Sequence, residues 1–169
     1  EVMAESSSSA TGPIPADAAY SALIAAITAA GGPQYAFREV PPLAHQDGGM
    51  AGANIRVGLL FNPARVEFPD RGGAGPQDRV GIRFIDRQPG LTLNPGRIEP
   101  EHPAFAGDDR HHWAPSRKAL AAEFTVGERR LFVIACHFKS MRSASRREED
   151  YAKQQRHAQA HVVHGFAAD

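Results

Sequence analysis

The sequence predicts a mixed α/β domain, and three observations carry that reading. Short apolar runs with alternation or β-branching give strand candidates at Tyr35–Val40, Asn54–Phe61, Arg79–Ile85, Ala119–Val126 and Leu131–Ala135. Two other stretches carry helical periodicity, one opening at Pro15-Ala16-Asp17 and one closing the chain. Gly127-Glu128 is a tight-turn signal between the last two strand candidates, which makes them antiparallel neighbours. At 169 residues the chain can build one domain with a real core.

Composition narrows the function classes. The formal charge is zero, so bulk electrostatics do not make this a polyanion-binding protein, and phosphate would have to meet local patches. Cys136 is the sole cysteine, which rules out an internal disulfide. No apolar run approaches the ~20 residues of a membrane span. The chain opens on Glu1 without a signal-peptide pattern and stops inside a helical pattern, so a fragment of a longer protein is expected.

In chain order, Glu1-Val2-Met3 reads as the tail of a strand and Ser6–Ser9 as part of a polar loop. The first helix should bury Tyr20, Leu23, Ile24 and Ile27 as a plain core helix. Asp17 is its cap or first-turn acid, and Gly31-Gly32-Pro33 stops it. A loop, His45–Gly52, precedes the Asn54–Phe61 strand. Asn62-Pro63 turns the chain, and Ala64–Phe68 should return as a partner strand. From Pro69 to Gly107 glycine and proline are frequent, and one strand candidate interrupts the irregular chain. Ser140–Glu149 reads as a charged loop. The last helix follows, with Tyr151, Gln155, Ala158, Val162 and Phe166 on its stripe.

The chemistry concentrates at the end of the last strand. Leu131 to Ala135 reads as buried, and Cys136-His137-Phe138-Lys139-Ser140 then places an imidazole, an ammonium and a hydroxyl where burial ends. An antiparallel hairpin brings the start of one strand to the end of the other. Arg117 should therefore lie beside His137, although twenty residues separate them. A guanidinium fits phosphate geometry, and histidine can donate to a phosphoryl oxygen or carry a proton near neutral pH. With Lys139, Arg142 and Arg146 adjacent, the set suggests a phosphate-ester site.

Other clusters carry less. His157, His161 and His164 share a helix face but lack the metalloprotease glutamate. His111-His112-Trp113 reads as a loop cluster. The glycine-rich segments lack a P-loop ending, and no Gly-x-Ser-x-Gly elbow is present. Strand alternation turns Cys136 away from His137, so it is expected to be a buried thiol rather than a nucleophile.

These segments resemble, in collinear order, the endonuclease/exonuclease/phosphatase superfamily related to pancreatic-type deoxyribonuclease, most closely its bacterial extracellular nucleases. The matching stretches are Glu1-Val2; the helix to Gly31-Gly32-Pro33; Ala53 to Val66; Leu91–Pro95 with Gly96-Arg97-Ile98; Pro103-Ala104-Phe105; Ser116 to Leu120; Val133 to Ser140; and Gln155-Arg156-His157 with Ala160-His161-Val162-Val163. The resemblance implies part of a four-layer α/β sandwich, two packed, mostly antiparallel sheets flanked by helices. Residues 1–169 would be a single partial domain missing its first strand and C-terminal half. It implies a secreted, Mg2+-dependent phosphodiesterase, with Mn2+ or Ca2+ as alternatives. The substrate would be DNA or RNA, with no membrane and no obligate protein partner. By matched position, Glu1 would bind the metal, Arg117 and His137 would hold the phosphate, and Asn54 would orient His137 or touch substrate. Lys139, Arg142 and Arg146 would follow the nucleic-acid backbone.

Cys136 and Lys118-Ala119 depart from the resemblance, where Asn and Lys-Pro are usual. The Gly-Asp-Phe-Asn strand and the Asp-His pair of the general base are absent, so the isolated chain is expected to be inactive. Two other readings stay open. One is a phosphatase or sphingomyelinase-like phosphodiesterase, and the other a non-catalytic binding module.

Overall fold

A computed structural model describes residues 2–5, 10–50, 52–101, 113, 116–141 and 145–169. Glu1, Ser6–Ser9, Pro103-Ala104-Phe105, His111, His112 and Arg142 lie outside the described residues. The fold is mixed α/β, with small antiparallel sheets and, among the described residues, two helices. The strands are β1 (Val2–Glu5), β2 (Ala36–Glu39), β3 (Gly49–Met50), β4 (Ala53–Arg56), β5 (Gly58–Phe61), β6 (Ile82–Ile85), β7 (Gln88–Leu91), β8 (Gly96–Arg97), β9 (Leu120–Val126) and β10 (Arg129–Ala135). The helices are α1 (Asp17–Ala29) and α2 (Arg146–Ala168). No helix among the described residues is long and apolar enough to cross a membrane.

The β9–β10 hairpin forms as the sequence predicts. Gly127 takes φ +59, and the register pairs Val126 with Arg129 and Leu120 with Ala135. β8 pairs with the far side of β9, giving the order β10-β9-β8. Alternation along β9 feeds two cores. Ala119 and Ala121 face a cluster with Val80, Leu91, Ile98, Trp113 and Val162 of α2. Ala122 and Phe124 face Phe61, and Phe68 closes an aromatic group with ring centroids 5.4 Å apart. Small residues on β9 let the helix approach on one side, while Phe124 fills the other.

β10 differs from its expected burial. Leu131 is 49% and Phe132 42% exposed. Among the described residues β10 pairs only with β9, so it is the edge strand, and apolar content alone could not reveal that. Cys136 is likewise exposed rather than buried.

Three other expectations are corrected. The Asn54–Phe61 run breaks at Val57: β4 joins β1 and β3, whereas β5 pairs with β2. Gly58 explains the close packing there, because a Cβ at that position would stand 1.8 Å from the Tyr20 hydroxyl. Ala64–Phe68 is no strand: Arg65 and Val66 donate to the Asn62 carbonyl in a turn, and Glu67 bridges Thr125 of β9. The strand expected at Arg79–Ile85 shortens to β6 and hairpins with β7 through Asp86 and Arg87, both at positive φ.

The helices repeat this division. Only Tyr20 of α1 is fully buried; it stacks on Phe37 of β2 at 4.5 Å, while Leu23 is exposed. α1 is therefore not an ordinary core helix. α2 starts at Arg146, inside the predicted loop, because Ser145 accepts from the Glu148 N–H as an N-cap. Its buried stripe includes two polar residues, Gln155 and Gln159.

Candidate functional site

The hairpin brings the expected pair together. Arg117 precedes β9, His137 follows β10, and Arg117 Nη2 donates to the Phe138 carbonyl at 3.4 Å. Both residues are half-buried. They therefore sit at one sheet edge, where the hairpin brings the two strand ends together.

α2 fixes the segment after His137. Gln159 Oε1, fully buried, accepts from the Lys139 N–H at 2.9 Å. Three residues earlier on the same helix face, Arg156 donates to the Ser140 carbonyl at 3.0 Å and the Lys139 carbonyl at 3.5 Å. The Lys139 backbone is thus held on both sides by α2. Arg146 sits exposed in the first turn of α2.

Asn54 stands in another sheet. It is buried, donates to the Leu43 and Gln46 carbonyls at 3.2 and 2.9 Å, and accepts from the His45 N–H at 3.3 Å. These bonds organise the loop of residues 43–46. The same loop carries Asp47, whose carboxylate meets Arg97 of β8 at 2.6 Å and the Lys118 ammonium. Asn54 therefore connects to the strand-end site through this loop, by way of the residue next to Arg117.

A second buried carboxylate lies on β9. Glu123 accepts from both arms of Arg71 at 2.5 and 2.7 Å and from the Leu91 N–H at 2.9 Å, with Arg130 at 3.7 Å. Burial alone would raise its pKa, but Arg71, the Leu91 N–H and Arg130 outweigh that and hold it below the usual range. Asn94 completes this corner, donating to the Glu123 carbonyl and accepting from its N–H.

Strand geometry in the sequence placed the Arg117 segment beside the end of β10, whereas the contacts of Asp47, Gln159 and Lys118 emerge only from the structure. Gln159 left a signal, a glutamine four residues after Gln155 on a buried stripe. Asp47 left none, because its partner Lys118 is 71 residues away. Although Cys136 is exposed, partial desolvation by its neighbours raises its thiol pKa, the wrong direction for a thiolate. His157, His161 and His164 are solvent-exposed on α2. No three His, Cys, Asp or Glu residues converge as a metal-holding group among the described residues.

No protein-family model matches the chain, and no curated protein or solved structure matches it.

Proposed function

We propose that this chain belongs to a metal-dependent phosphodiester hydrolase acting on DNA or RNA, secreted from a bacterium. The single observation that carries the reading is the juxtaposition of Arg117 and His137 at paired strand ends, with Lys139 beside them. A guanidinium, an imidazole and an ammonium at one rigid edge suit a phosphodiester: they would neutralise charge growing on its nonbridging oxygens as water attacks phosphorus. Arg146 would follow the flanking phosphates, with Arg142 beside it in sequence. The four-layer sandwich is part of the same proposal. It is supported by α1 stacking on β2, by β5 packing against β9, and by β9 packing against α2.

The described residues do not by themselves supply the ligand set for Mg2+. By the resemblance, Glu1 would supply a carboxylate to the ion, which would polarise the phosphoryl oxygen. The basic groups after β10 favour a polymeric anion over the lipid of a sphingomyelinase-like reading.

The test is cleavage of plasmid DNA and of RNA by the full-length protein, with Mg2+ and with chelator. Arg117→Ala and His137→Ala should each lower the rate about 100-fold or more, as for loss of a group stabilising transition-state charge. Rates near wild type for both variants would end the assignment. Binding without chelator-sensitive cleavage would favour a non-catalytic module.

A further inference from the structure

Asp47 sits in the left-handed backbone region at φ +63, and His45, two residues before it, at φ +60. Such positions are uncommon for residues other than glycine and persist where surrounding contacts hold them. Here the holding contacts run in two directions. Asn54 ties down the backbone at Leu43, His45 and Gln46. The Asp47 carboxylate, 2% exposed, reaches across to Arg97, 4% exposed, and Lys118, 11% exposed. Arg97 also donates to the carbonyls of Pro76 and Val40, each at 3.0 Å, so its place does not depend on Asp47 alone.

Lys118 is in a different position. The β8–β9 ladder pairs Leu120 with Arg97, and among the described residues the last backbone bond beyond it runs from the Ile98 N–H to the Ala119 carbonyl. Arg117 and Lys118 extend past that ladder, outside any strand. The Lys118 side chain therefore supplies the tie that strand pairing no longer gives. Burial, aided by Arg97, holds its ammonium below the usual pKa even with Asp47 and Glu101 facing it.

We infer that Asp47 is a positioning residue: by gripping the Lys118 ammonium it fixes the neighbouring Arg117 against the end of β10 and couples the Asn54-held loop to the phosphate-binding edge. The phosphodiester reading is needed only for what Arg117 binds. The tie itself stands on the geometry.

The experiment uses Lys118→Met, which releases the tie and leaves the Asp47–Arg97 pair in place, together with Arg117→Ala and the double variant. Amide hydrogen exchange is measured around residues 45–47 and 117–118. Affinity for a short fluorescein-labelled single-stranded DNA is measured by anisotropy, with chelator present to block cleavage. Lys118→Met should speed exchange at both segments. Each single variant should weaken DNA binding about tenfold, the scale of one charge-assisted contact, and the double variant should bind like Arg117→Ala alone. Unchanged exchange in Lys118→Met overturns the inference. So do losses that multiply in the double variant, since Lys118 would then be touching DNA itself. If exchange changes while Arg117→Ala binds like wild type, the tie stands and the phosphodiester reading fails.

Discussion

Glu123 and Asp47 are both buried carboxylates shared by two cations, yet the two regions are built differently. Glu123 lies within a regular strand and takes a guanidinium fork, a backbone N–H and a second arginine. Its partners come from the 71 loop, β7 and β10, so it locks the sheet to the β6–β7 hairpin. Arg130 strengthens that lock by donating to the Pro89 and Ile85 carbonyls. Asp47 lies in a loop at positive φ and links that loop to a segment lacking strand support. Similar charge arithmetic thus serves the scaffold in one place and, on our reading, the site in the other. Burial of a charge does not decide its role. What differs is the place of the carboxylate itself, since Glu123 lies within the β9 ladder and Asp47 in a loop.

The comparison can be broken with neutral isosteres. Glu123→Gln should cost roughly 3 kcal/mol or more of stability, because it leaves Arg71 and Arg130 without their buried counter-charge. Asp47→Asn should cost less, about 2 kcal/mol, since Arg97 keeps two carbonyl acceptors and Lys118 keeps the Glu101 carboxylate facing it. It should also weaken nucleic-acid binding, which Glu123→Gln should spare once each variant is folded. Chemical denaturation followed by binding of the folded proteins checks both. An equal binding loss in the two variants would erase the distinction.

Acid gives a second, smaller test. The folded-state pKa of Glu123 lies below its unfolded value, so its contribution is present above about pH 4.3 and is lost as pH falls through the folded value. The stability gap between wild type and Glu123→Gln should therefore narrow on acidification below that point. Glu39 has the opposite sign. Burial raises its pKa despite Arg56 at 3.6 Å, so its contribution is present in acid and fades as pH rises through the folded value. Denaturant midpoints across an acid series would detect a gap that stays constant, which would mean Glu123 is not held as described.

The smallest effect should come from an exposed pair. Arg38 forms a two-armed bridge to Asp70 at 3.0 and 2.7 Å, with side chains 35% and 63% exposed, and lies 5.0 Å over Phe68. Water already screens it, so Arg38→Ala should cost under about 1 kcal/mol. A thermal shift as large as that of Glu123→Gln would show that exposure is a poor guide to the worth of these pairs.

What was legible in the sequence was local. The β9–β10 turn, the start of α1, the alternation of β9 and the approach of Arg117 to the end of β10 all follow from a few neighbouring residues and strand geometry. The break at Val57 was not legible, because an unbroken alternating run does not say that its halves join different sheets. Nor was the β10 edge, since an edge strand and a central strand can carry the same apolar residues.

Thus the sequence by itself determined the periodicities, the tight turn and the cluster of phosphate-compatible side chains at one strand end. Only the tertiary structure decided which carboxylate meets which cation. Asp47 with Lys118 and Glu123 with Arg71 are separated by 71 and 52 residues. Such pairs form when folding removes several charges from water together, and the nearest opposite charge is then chosen by packing rather than by order along the chain.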